Sequence, residues 1–278
     1  MEQRVAIITG GLRGLGRAMA FGLASVGHKV MAVGHIEGDV TEVESATAGS
    51  ELAGKVAPLV ADLRQPADCD RVVAAAQRQF GAVDILVNNA GLTFTYIDPA
   101  RYRRQSMQRF WEVSDEIVEN VIATNYLAAD RLARRLAPRM IERGWGRIVN
   151  VTTKLDTMNR AGTCPYGASK AALEMATEVW AKEVEGTGLT INIVNPGAGA
   201  NTPGMAEEMR QMSREGRASR LVEPEEMVPP LLYVVSREAD SVNGWRFDAN
   251  LWDPALPSAE AARCAGRPAG FEMHPQAG

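Results

Sequence analysis

Residues 9–16 read TGGLRGLG and follow directly on the apolar run Val5–Thr9 near the start of the chain. Glycines allow a tight turn and a close approach of the backbone, and a helix that begins at such a turn presents free N–H groups to a phosphate. The spacing alone is a weak signal, because a glycine-rich turn without a ligand has the same pattern. Its place after the first strand of an alternating α/β pattern predicts a nucleotide-phosphate turn.

Beyond this turn, short apolar runs alternate with longer amphipathic stretches. The runs are rich in β-branched residues and mostly continuous, which is typical of parallel strands buried on both faces. The alternation predicts an α/β fold with a doubly wound, Rossmann-like parallel sheet of seven strands in a single domain. The predicted strands are Val5–Thr9, Lys29–Val33, Val56–Ala61, Ile85–Asn88, Arg147–Val151, Thr190–Val194 and Trp245–Asp248. The predicted helices include Gly16–Val26, Ala67–Phe80, Asp115–Arg143, Tyr166–Glu185 and Pro224–Ser236.

The composition of the chain narrows the classes of partner that it could bind. The chain has 278 residues, 46% hydrophobic and 23% charged, an ordinary globular mixture. Thirty Lys and Arg against 34 Asp and Glu leave a net charge of −4, which argues against a nucleic-acid partner. Cys69, Cys164 and Cys264 form no CxxC pair, so we expect free thiols and no metal site. No stretch approaches the ~20 apolar residues of a membrane span, and we expect a cytoplasmic protein with no membrane partner.

A second motif, YGASK at 166–170, places Tyr166 and Lys170 one turn apart on the same face of a helix. A lysine ammonium there favours the phenolate and lowers a phenol pKa that starts near about 10. Such a pair predicts general acid–base chemistry. The alternative is an exposed pair without function, because YxxxK is common.

Together these motifs resemble those of the short-chain dehydrogenase/reductase family, in its main extended-sheet branch. The resemblance spans roughly Val5 to Asp248, nearly the whole chain, and the motifs occur in the family's order. The matching positions are TGGLRGLG at 9–16, Asp62-Leu63, Asn88-Asn89-Ala90-Gly91, Asn125, Thr153, Tyr166, Lys170 and Asn195-Pro196-Gly197.

The resemblance implies a nicotinamide dinucleotide lying across the carboxyl ends of the strands. It implies that Tyr166 donates a proton to a substrate carbonyl as hydride arrives, that Lys170 holds the nicotinamide ribose and that Asn125 relays water. The positions expected to be catalytic are Asn125, Thr153, Tyr166 and Lys170. The positions expected to bind the cofactor are Gly10, Arg13, Gly14, Leu15, Gly16, His35, Asp62, Leu63, Asn89, Ala90, Gly91, Tyr166, Lys170, Pro196, Gly197 and Thr202.

Two positions depart from the family pattern. The family has a serine thirteen residues before the tyrosine, where this chain has Thr153. Threonine keeps the hydroxyl but adds a methyl group and stiffens χ1, so we expect activity in a slightly narrower pocket. Thr152 could supply the hydroxyl instead, or Thr153 could only pack. The family's acidic-glycine-glycine ending reads FDAN at 247–250, which puts any role carried over to those residues in doubt.

The charge at the end of the second strand indicates the cofactor. Members that prefer NAD carry an acidic residue there, which binds the ribose hydroxyls and repels a 2′-phosphate. Residues 33–36 read VGHI, without a carboxylate, and Arg13 could meet the phosphate with help from His35. We therefore expect NADP(H) rather than NAD(H). The alternative is that Arg13 is a solvated charge and His35 an ordinary loop residue.

Two segments fall outside the alternation. We predict a nucleotide-binding domain over residues 1–253, with an inserted segment at 92–114 over the substrate pocket. A C-terminal extension, 254–278, is expected to pack against its own or a neighbouring subunit. The pocket should be lined by residues 92–96, 153–164 and 198–216, which suggests a moderately apolar substrate. These stretches include Phe94, Tyr96, Leu155, Met158 and Met205.

The function expected from these features is that of an NADP-dependent carbonyl reductase or alcohol dehydrogenase acting on a small molecule, with Tyr166 as general acid and base. Alternatives are a family member that acts on an acyl thioester or a sugar, or a non-catalytic nucleotide-binding regulator. The regulator is disfavoured because Tyr166 and Lys170 are both present. Relatives pair through their long helices, here 115–143 and 166–185, so we expect a homodimer or homotetramer.

Overall fold

In this computed structural model, which describes residues 2–271, eight strands form one sheet. The strands are β1 (Val5–Thr9), β2 (Lys29–Gly34), β3 (Val56–Val60), β4 (Ile85–Asn88), β5 (Gly146–Asn150), β6 (Leu189–Asn195), β7 (Trp245–Asp248) and β8 (Gly266–Pro268). Their order in the sheet is β3-β2-β1-β4-β5-β6-β7-β8. The pairs from β3 to β7 are all parallel, so the prediction of a doubly wound parallel α/β fold is confirmed.

Helices cover both faces of this sheet. They are α1 (Gly14–Ser25), α2 (Gly38–Thr47), α3 (Pro66–Phe80), α4 (Phe94–Ile97), α5 (Asp115–Ile122), α6 (Ala128–Glu142), α7 (Leu155–Met158), α8 (Tyr166–Glu183), α9 (Glu207–Arg214), α10 (Val228–Val234) and α11 (Ser258–Ala265). The helix predicted over 115–143 is interrupted by a π-helical turn, Ala123–Leu127, between α5 and α6. The one predicted over 224–236 begins as a 3₁₀ turn, Pro224–Met227, and continues as α10.

The strand count differs from the prediction because the C-terminal extension contributes a strand. β8 pairs antiparallel with β7, with Arg246 opposite Arg267. A three-residue strand in a segment rich in Pro, Ala and Gly has no periodicity that a sequence pattern could reveal. Within the described residues, the extension packs on its own subunit through α11 and β8. Residues 272–278 of the predicted extension lie outside the described residues, and the boundary at 253 stays a prediction.

Both faces of the central strands are buried, which explains their continuous apolar runs. On β1, Ala6 and Ile8 belong to a core cluster covered by α1 and α10, whereas Ile7 belongs to one covered by α3 and α6. Each fully buried isoleucine of this kind stabilises the fold by about 1.5–3 kcal/mol. The order of the strands reverses between β1 and β4. Ligands of open α/β sheets bind at such a switch point, outside the carboxyl ends of the strands.

Candidate active site

The glycine turn after β1 has a backbone that only glycine accommodates. Gly10 and Gly14 have φ values of +62° and +56°. A Cβ atom on Gly16 would lie 2.0 Å from the Gly10 carbonyl oxygen, so α1 begins in direct contact with the turn. The free N–H groups at the start of α1 therefore face the cleft at the switch point, where a phosphate is stabilised.

Side chains from β1 and β4 hold this turn in place. The Thr9 hydroxyl oxygen accepts hydrogen bonds from the backbone N–H groups of Asn89, at 2.9 Å, and Ala90, at 3.0 Å. The Asn89 amide donates to the carbonyl oxygens of Thr9 and Gly10 at 3.0 and 3.2 Å. The predicted residues at 9–16 and 88–91 are thus brought together as one hydrogen-bonded unit.

Asn125 lies in the π-helical turn and is buried. Its side-chain oxygen accepts from the Leu92 N–H at 2.7 Å, and its amide donates to the Leu92 carbonyl at 3.1 Å. The same amide donates to the Ser169 hydroxyl at 2.9 Å. Asn125 therefore connects the end of β4 to α8, the helix that carries Tyr166 and Lys170.

Tyr166 lies at the first position of α8, half-buried beside Thr153. Burial raises the pKa of the Tyr166 phenol, a hydrogen bond with the Thr153 side chain opposes this, and Tyr102 raises the pKa further. The lowering of this pKa by Lys170 that the motif predicts is therefore not seen in the protein alone. Thr152 is buried, and its hydroxyl donates to Glu174 at 2.9 Å, so it is directed away from Tyr166. The geometry favours Thr153 over Thr152 as the hydroxyl that adjoins Tyr166.

Lys170 is buried one turn further along α8, and its ammonium donates to the Val151 carbonyl at 2.8 Å. Burial lowers the pKa of Lys170 to about 8. A Cβ atom on Gly91 would lie 3.5 Å from the Lys170 ammonium nitrogen, which places this charge directly beside Gly91 at the cleft. Lys170 is therefore not an exposed helix lysine, as the alternative interpretation of the motif would require.

A cleft with a volume of about 380 Å³ runs along the carboxyl ends of β1 to β4. That volume lies within the usual range for small-molecule sites, about 300–1,000 Å³. Ten of the residues predicted to bind a cofactor line it: Gly10, Arg13, Leu15, His35, Asp62, Leu63, Asn89, Ala90, Gly91 and Thr202. The sequence did not indicate Asp39, Arg64 or Thr124, which also line it. Thr93, Tyr96 and Gly204 line it as well, and they come from the stretches 92–96 and 198–216 that were predicted to line the substrate pocket.

Opposite charges are paired at the far end of this cleft. The Arg13 guanidinium lies 3.6 Å from the Asp39 carboxylate, which comes from the first turn of α2. Arg64 forms a two-pronged contact with Asp62, and its hydrogen bonds hold the pKa of that carboxyl below the usual value. Residues 33–36 contain no carboxylate, but Asp39 places one beside Arg13, and the sequence pattern did not indicate this residue.

The segment after β6 approaches the glycine turn from the other side. Gly197 has a φ value of +72°, and its N–H donates to the Asn195 side chain at 2.8 Å. A Cβ atom on Gly14 would lie 3.4 Å from Thr202, so this threonine reaches the phosphate turn. Pro196 and Gly197 are buried beneath the loop, and neither they, Gly14 nor Gly16 line the cleft directly.

The inserted segment 92–114 lies against the tyrosine. The Phe94 and Tyr166 ring centroids are 4.8 Å apart. The Arg101 guanidinium lies over Phe94 at 4.2 Å and donates to the Gly162 carbonyl at 2.7 Å. The Tyr102 hydroxyl lies 3.7 Å from the Met205 sulfur, which joins this segment to the one after β6.

Residues 2–271 contain neither a metal cluster nor a membrane span. No group of three or more His, Cys, Asp or Glu side chains in that part of the chain could hold a metal ion. None of its helices is long and apolar enough to cross a membrane.

A doubly wound sheet with a glycine-turn cleft at its switch point and a Tyr–Lys pair beyond it defines a class, the dinucleotide-dependent oxidoreductases. The family model described as short chain dehydrogenase matches residues 4–213. The chain therefore belongs to the short-chain dehydrogenase/reductase family, and it is an NAD(P)-dependent oxidoreductase.

Individual relatives agree with this assignment. The 3-oxoacyl-(acyl-carrier-protein) reductase FabG of Escherichia coli (strain K12) is 31% identical over 253 residues, covering 90% of this chain and 96% of that protein. A solved actinorhodin polyketide ketoreductase variant with NADPH gives a TM-score of 0.71 at 27% identity and covers 87% of this chain and 94% of its own. The 3-ketoacyl-(acyl-carrier-protein) reductase from Brucella melitensis, complexed with NADH, gives 0.73 at 26% identity, covering 88% and 96%.

Proposed function

We propose that this enzyme reduces a small-molecule carbonyl to a secondary alcohol with NADPH, with Tyr166 as the proton donor. The observation that carries the proposal is the position of Tyr166 at the start of α8, with the buried Lys170 charge one turn away and the Thr153 side chain beside it. Two adjacent hydroxyls can bind one carbonyl oxygen, and a phenol can transfer its proton to that oxygen as it gains charge.

The protonation states support the reductive direction at neutral pH. Burial raises the pKa of Tyr166, so the phenol keeps its proton until a developing oxyanion takes it. With a pKa of about 8, Lys170 carries its charge at neutral pH and favours the phenolate that remains after the transfer. Asn125, through Leu92 and Ser169, fixes the position of both residues relative to the cleft.

The residues present fit a nicotinamide dinucleotide. The glycine turn accommodates a pyrophosphate because it has positive φ values and no Cβ atoms. Asp62 and Leu63 would flank the adenine, and Asn89, Ala90 and Gly91 would lie beneath the nicotinamide ribose, with Lys170 as a donor to its hydroxyls. When bound, the cofactor supplies the hydride, while the protein supplies position and a proton.

The preference for NADPH over NADH rests on Arg13 and His35 at the adenosine end of the cleft. Asp39 opposes it, because its carboxylate pairs with Arg13 and repels a phosphate. We infer that a 2′-phosphate displaces Asp39 from Arg13, since a phosphate carries more charge than a carboxylate. Comparable kcat/KM values for NADH and NADPH would contradict this preference.

The substrate is proposed to be a ketone with apolar groups beside the carbonyl, because the Phe94 ring packs on Tyr166 and the same inserted segment contacts Met205 through Tyr102. A second candidate is a 3-oxoacyl thioester, favoured by the names of the related reductases from Escherichia coli and Brucella melitensis. Both substrates present a ketone to the same hydroxyl pair. Monitoring NADPH oxidation with simple ketones and with 3-oxoacyl thioesters separates the two.

The direct test of the chemistry is Tyr166→Phe. Loss of a general acid should lower kcat by at least about 100-fold with NADPH affinity unchanged. Tyr233→Phe is the matched control, because Tyr233 packs in an aromatic cluster with Phe247 and Trp252 and should keep full activity. Turnover by Tyr166→Phe at the parental rate would remove the assignment.

Assembly and location stay predictions. Long helices such as α8 are the surfaces through which we expect a homodimer or homotetramer to form. Light scattering on the purified protein, at several concentrations, measures the mass in solution. A monomer at all concentrations would contradict the expectation. The cytoplasm, expected from the free thiols, is tested by cell fractionation.

A further inference from the structure

We propose that the buried ion pair between Arg246 and Glu174 positions Thr153 for catalysis, and that the C-terminal extension holds this pair in place. The proposal rests on the proposed function, since it assigns Thr153 a role in carbonyl reduction. Arg246 and Glu174 are positioning residues, because they act through Thr153 and have no contact with the cleft. They come from β7 and α8, elements that are far apart in sequence.

The Arg246 guanidinium is buried, with only 1% of its side chain exposed, and it makes three contacts. One nitrogen donates to a Glu174 carboxylate oxygen at 2.7 Å. Another donates to the Thr153 main-chain carbonyl at 2.9 Å and to Asp248 at 3.1 Å. The planar fork of arginine fixes these partners relative to one another, which a flexible amine could not do.

These contacts hold the chain just beyond the end of β5, where the hydrogen bonds of the sheet no longer do so. β5 ends at Asn150, so Thr152 and Thr153 lie beyond the strand. The Thr152 hydroxyl donates to the Glu174 oxygen that Arg246 also contacts, at 2.9 Å. One ion pair thus holds the side chain of Thr152 and the carbonyl of Thr153. Fixing both residues restricts the directions in which the Thr153 hydroxyl can point, and the Thr153 side chain lies beside that of Tyr166.

Four charged groups face one another in this cluster, and their charges balance. Glu174 comes from α8, Arg246 and Asp248 from β7, and Arg267 from β8 across the antiparallel pair. The side chains of Glu174 and Arg246 are almost completely buried. A buried ion pair is not in itself strong evidence for stability, since apolar side chains of similar size often serve as well. Its position beside Thr153 is better explained by the geometry that it imposes.

The extension reaches the second oxygen of Glu174. The Gly270 N–H lies 3.3 Å from that oxygen, and the Ala269 N–H donates to the Gly244 carbonyl at 2.9 Å. Gly270 has a φ value of +93°, and a Cβ atom there would lie 1.9 Å from the carboxylate of Glu178. An alanine there would strain the backbone and displace the Glu178 carboxylate. The segment after β8 therefore completes the set of donors around Glu174.

The decisive variant replaces the ion pair by apolar side chains, Glu174→Leu together with Arg246→Met. Because such replacement is often neutral for stability, the melting temperature and the NADPH affinity should stay near those of the parent. We expect kcat to fall about tenfold, since a small displacement of a positioned group costs this much or more. A stable variant with the parental kcat would overturn the proposal.

A double-mutant cycle distinguishes positioning from a structural role. In a Thr153→Ala background, the hydroxyl to be positioned is absent, so replacing the ion pair should lower kcat by less than about twofold further. A structural defect would lower kcat by the same factor in both backgrounds, and that result would contradict the proposal. If Tyr166→Phe is also fully active, the proposed function has failed; if it is inactive while the cycle is additive, only this inference has failed.

Gly270→Ala carries the test if the double variant does not fold. Gly81→Ala is its control, because Gly81 has a φ value of +95° but nothing within 4 Å of an added Cβ atom. The two variants share the backbone strain, so a fall in kcat limited to Gly270→Ala reports the contact with α8. We expect a fall of about threefold, without a change in NADPH affinity. Equal kcat values in the two variants would overturn the role of the extension.

Discussion

The floor and the roof of the cleft are held by different kinds of contact. The floor, residues 9–16 and 88–91, is fixed by hydrogen bonds from buried or half-buried side chains to the backbone, as between Thr9 and Asn89. In the roof, residues 92–114 and 198–216, Thr93 and Thr95 donate to the Gly204 carbonyl at 2.9 Å and join the two segments, while longer side chains near the surface, such as Arg101 over Phe94, hold the outer part. The floor can therefore specify one cofactor geometry, whereas the roof can change its lining without disturbing the fold. Cofactor binding is assigned to the first region and substrate choice to the second.

The largest effect should follow a change in the floor. Gly16→Ala places a Cβ atom 2.0 Å from the Gly10 carbonyl oxygen and 2.5 Å from the Asn89 amide nitrogen. Because neither atom can move without breaking the turn, we expect NADPH affinity to fall by more than about 100-fold. Fluorescence titration with NADPH measures the affinity, and circular dichroism checks the fold.

Gly38→Ala is the matched control, because Gly38 opens α2 and has nothing within 4 Å of an added carbon. It should bind NADPH as the parent does. Wild-type affinity in Gly16→Ala would show that the floor is not rigid, and the distinction between the two regions would then fail.

A smaller effect is expected from pH, through Lys170, whose ammonium group lies beside Gly91 of the floor. Its pKa of about 8 implies that kcat/KM for NADPH, which reports the free enzyme, falls about tenfold per unit above that pH. Between about pH 8 and the ordinary lysine value near 10.4, the unfolded chain binds more protons than the folded one. This group therefore adds stability as pH rises through that window, and the fall in activity should occur without unfolding.

Melting temperatures recorded at the same pH values supply the control for that profile. A kcat/KM that stays level up to pH 10 would mean that the Lys170 charge is not needed at the floor.

A change in the roof should affect the substrate and leave the cofactor unaffected. Phe94→Ala removes the ring that packs on Tyr166 at 4.8 Å. An aromatic pair of this kind contributes about 0.5–1.5 kcal/mol, so kcat/KM for the ketone should fall about three- to tenfold. Phe110→Ala, on the exposed part of the same segment, should leave it unchanged. A loss of NADPH affinity in Phe94→Ala would contradict the separation of role between roof and floor.

The smallest effect is expected at the adenosine end. Asp39→Asn removes the carboxylate beside Arg13, and partly exposed charges of this kind are worth about 0.2–1 kcal/mol. The preference for NADPH over NADH, measured as a ratio of kcat/KM values, should therefore rise about 1.4- to fivefold. Glu44→Gln, an exposed acid on the same helix, should not alter the ratio. A fall in the ratio for Asp39→Asn would show that Asp39 assists the phosphate.

The sequence predicted the fold and the floor because both depend on local requirements. A glycine with positive φ, as at Gly10 and Gly14, is needed whatever the rest of the chain does. Parallel strands buried on both faces are continuous apolar runs wherever they occur. The predicted lowering of the Tyr166 pKa was wrong in direction, because the motif shows the neighbouring Lys170 charge but not the burial of the phenol.

Other residues were missed because their partners are distant in sequence. Asp39 meets Arg13 only when α2 folds back over the glycine turn. Arg246 and Glu174 are 72 residues apart. One signal was available, since an arginine between Trp245 and Phe247 in an apolar strand requires a buried partner. Which partner it finds is decided by packing between α8 and β7.

Because of the π-helical turn at Ala123–Leu127, the number of residues in this stretch is itself a requirement for the geometry of the site. Each residue of a regular helix turns the next by about 100°, so deleting one residue here would restore α-helical winding and rotate all that precedes it. Asn125 would then no longer face Leu92, even though its identity is unchanged. In this stretch, the number of residues is as strict a condition on activity as any side chain.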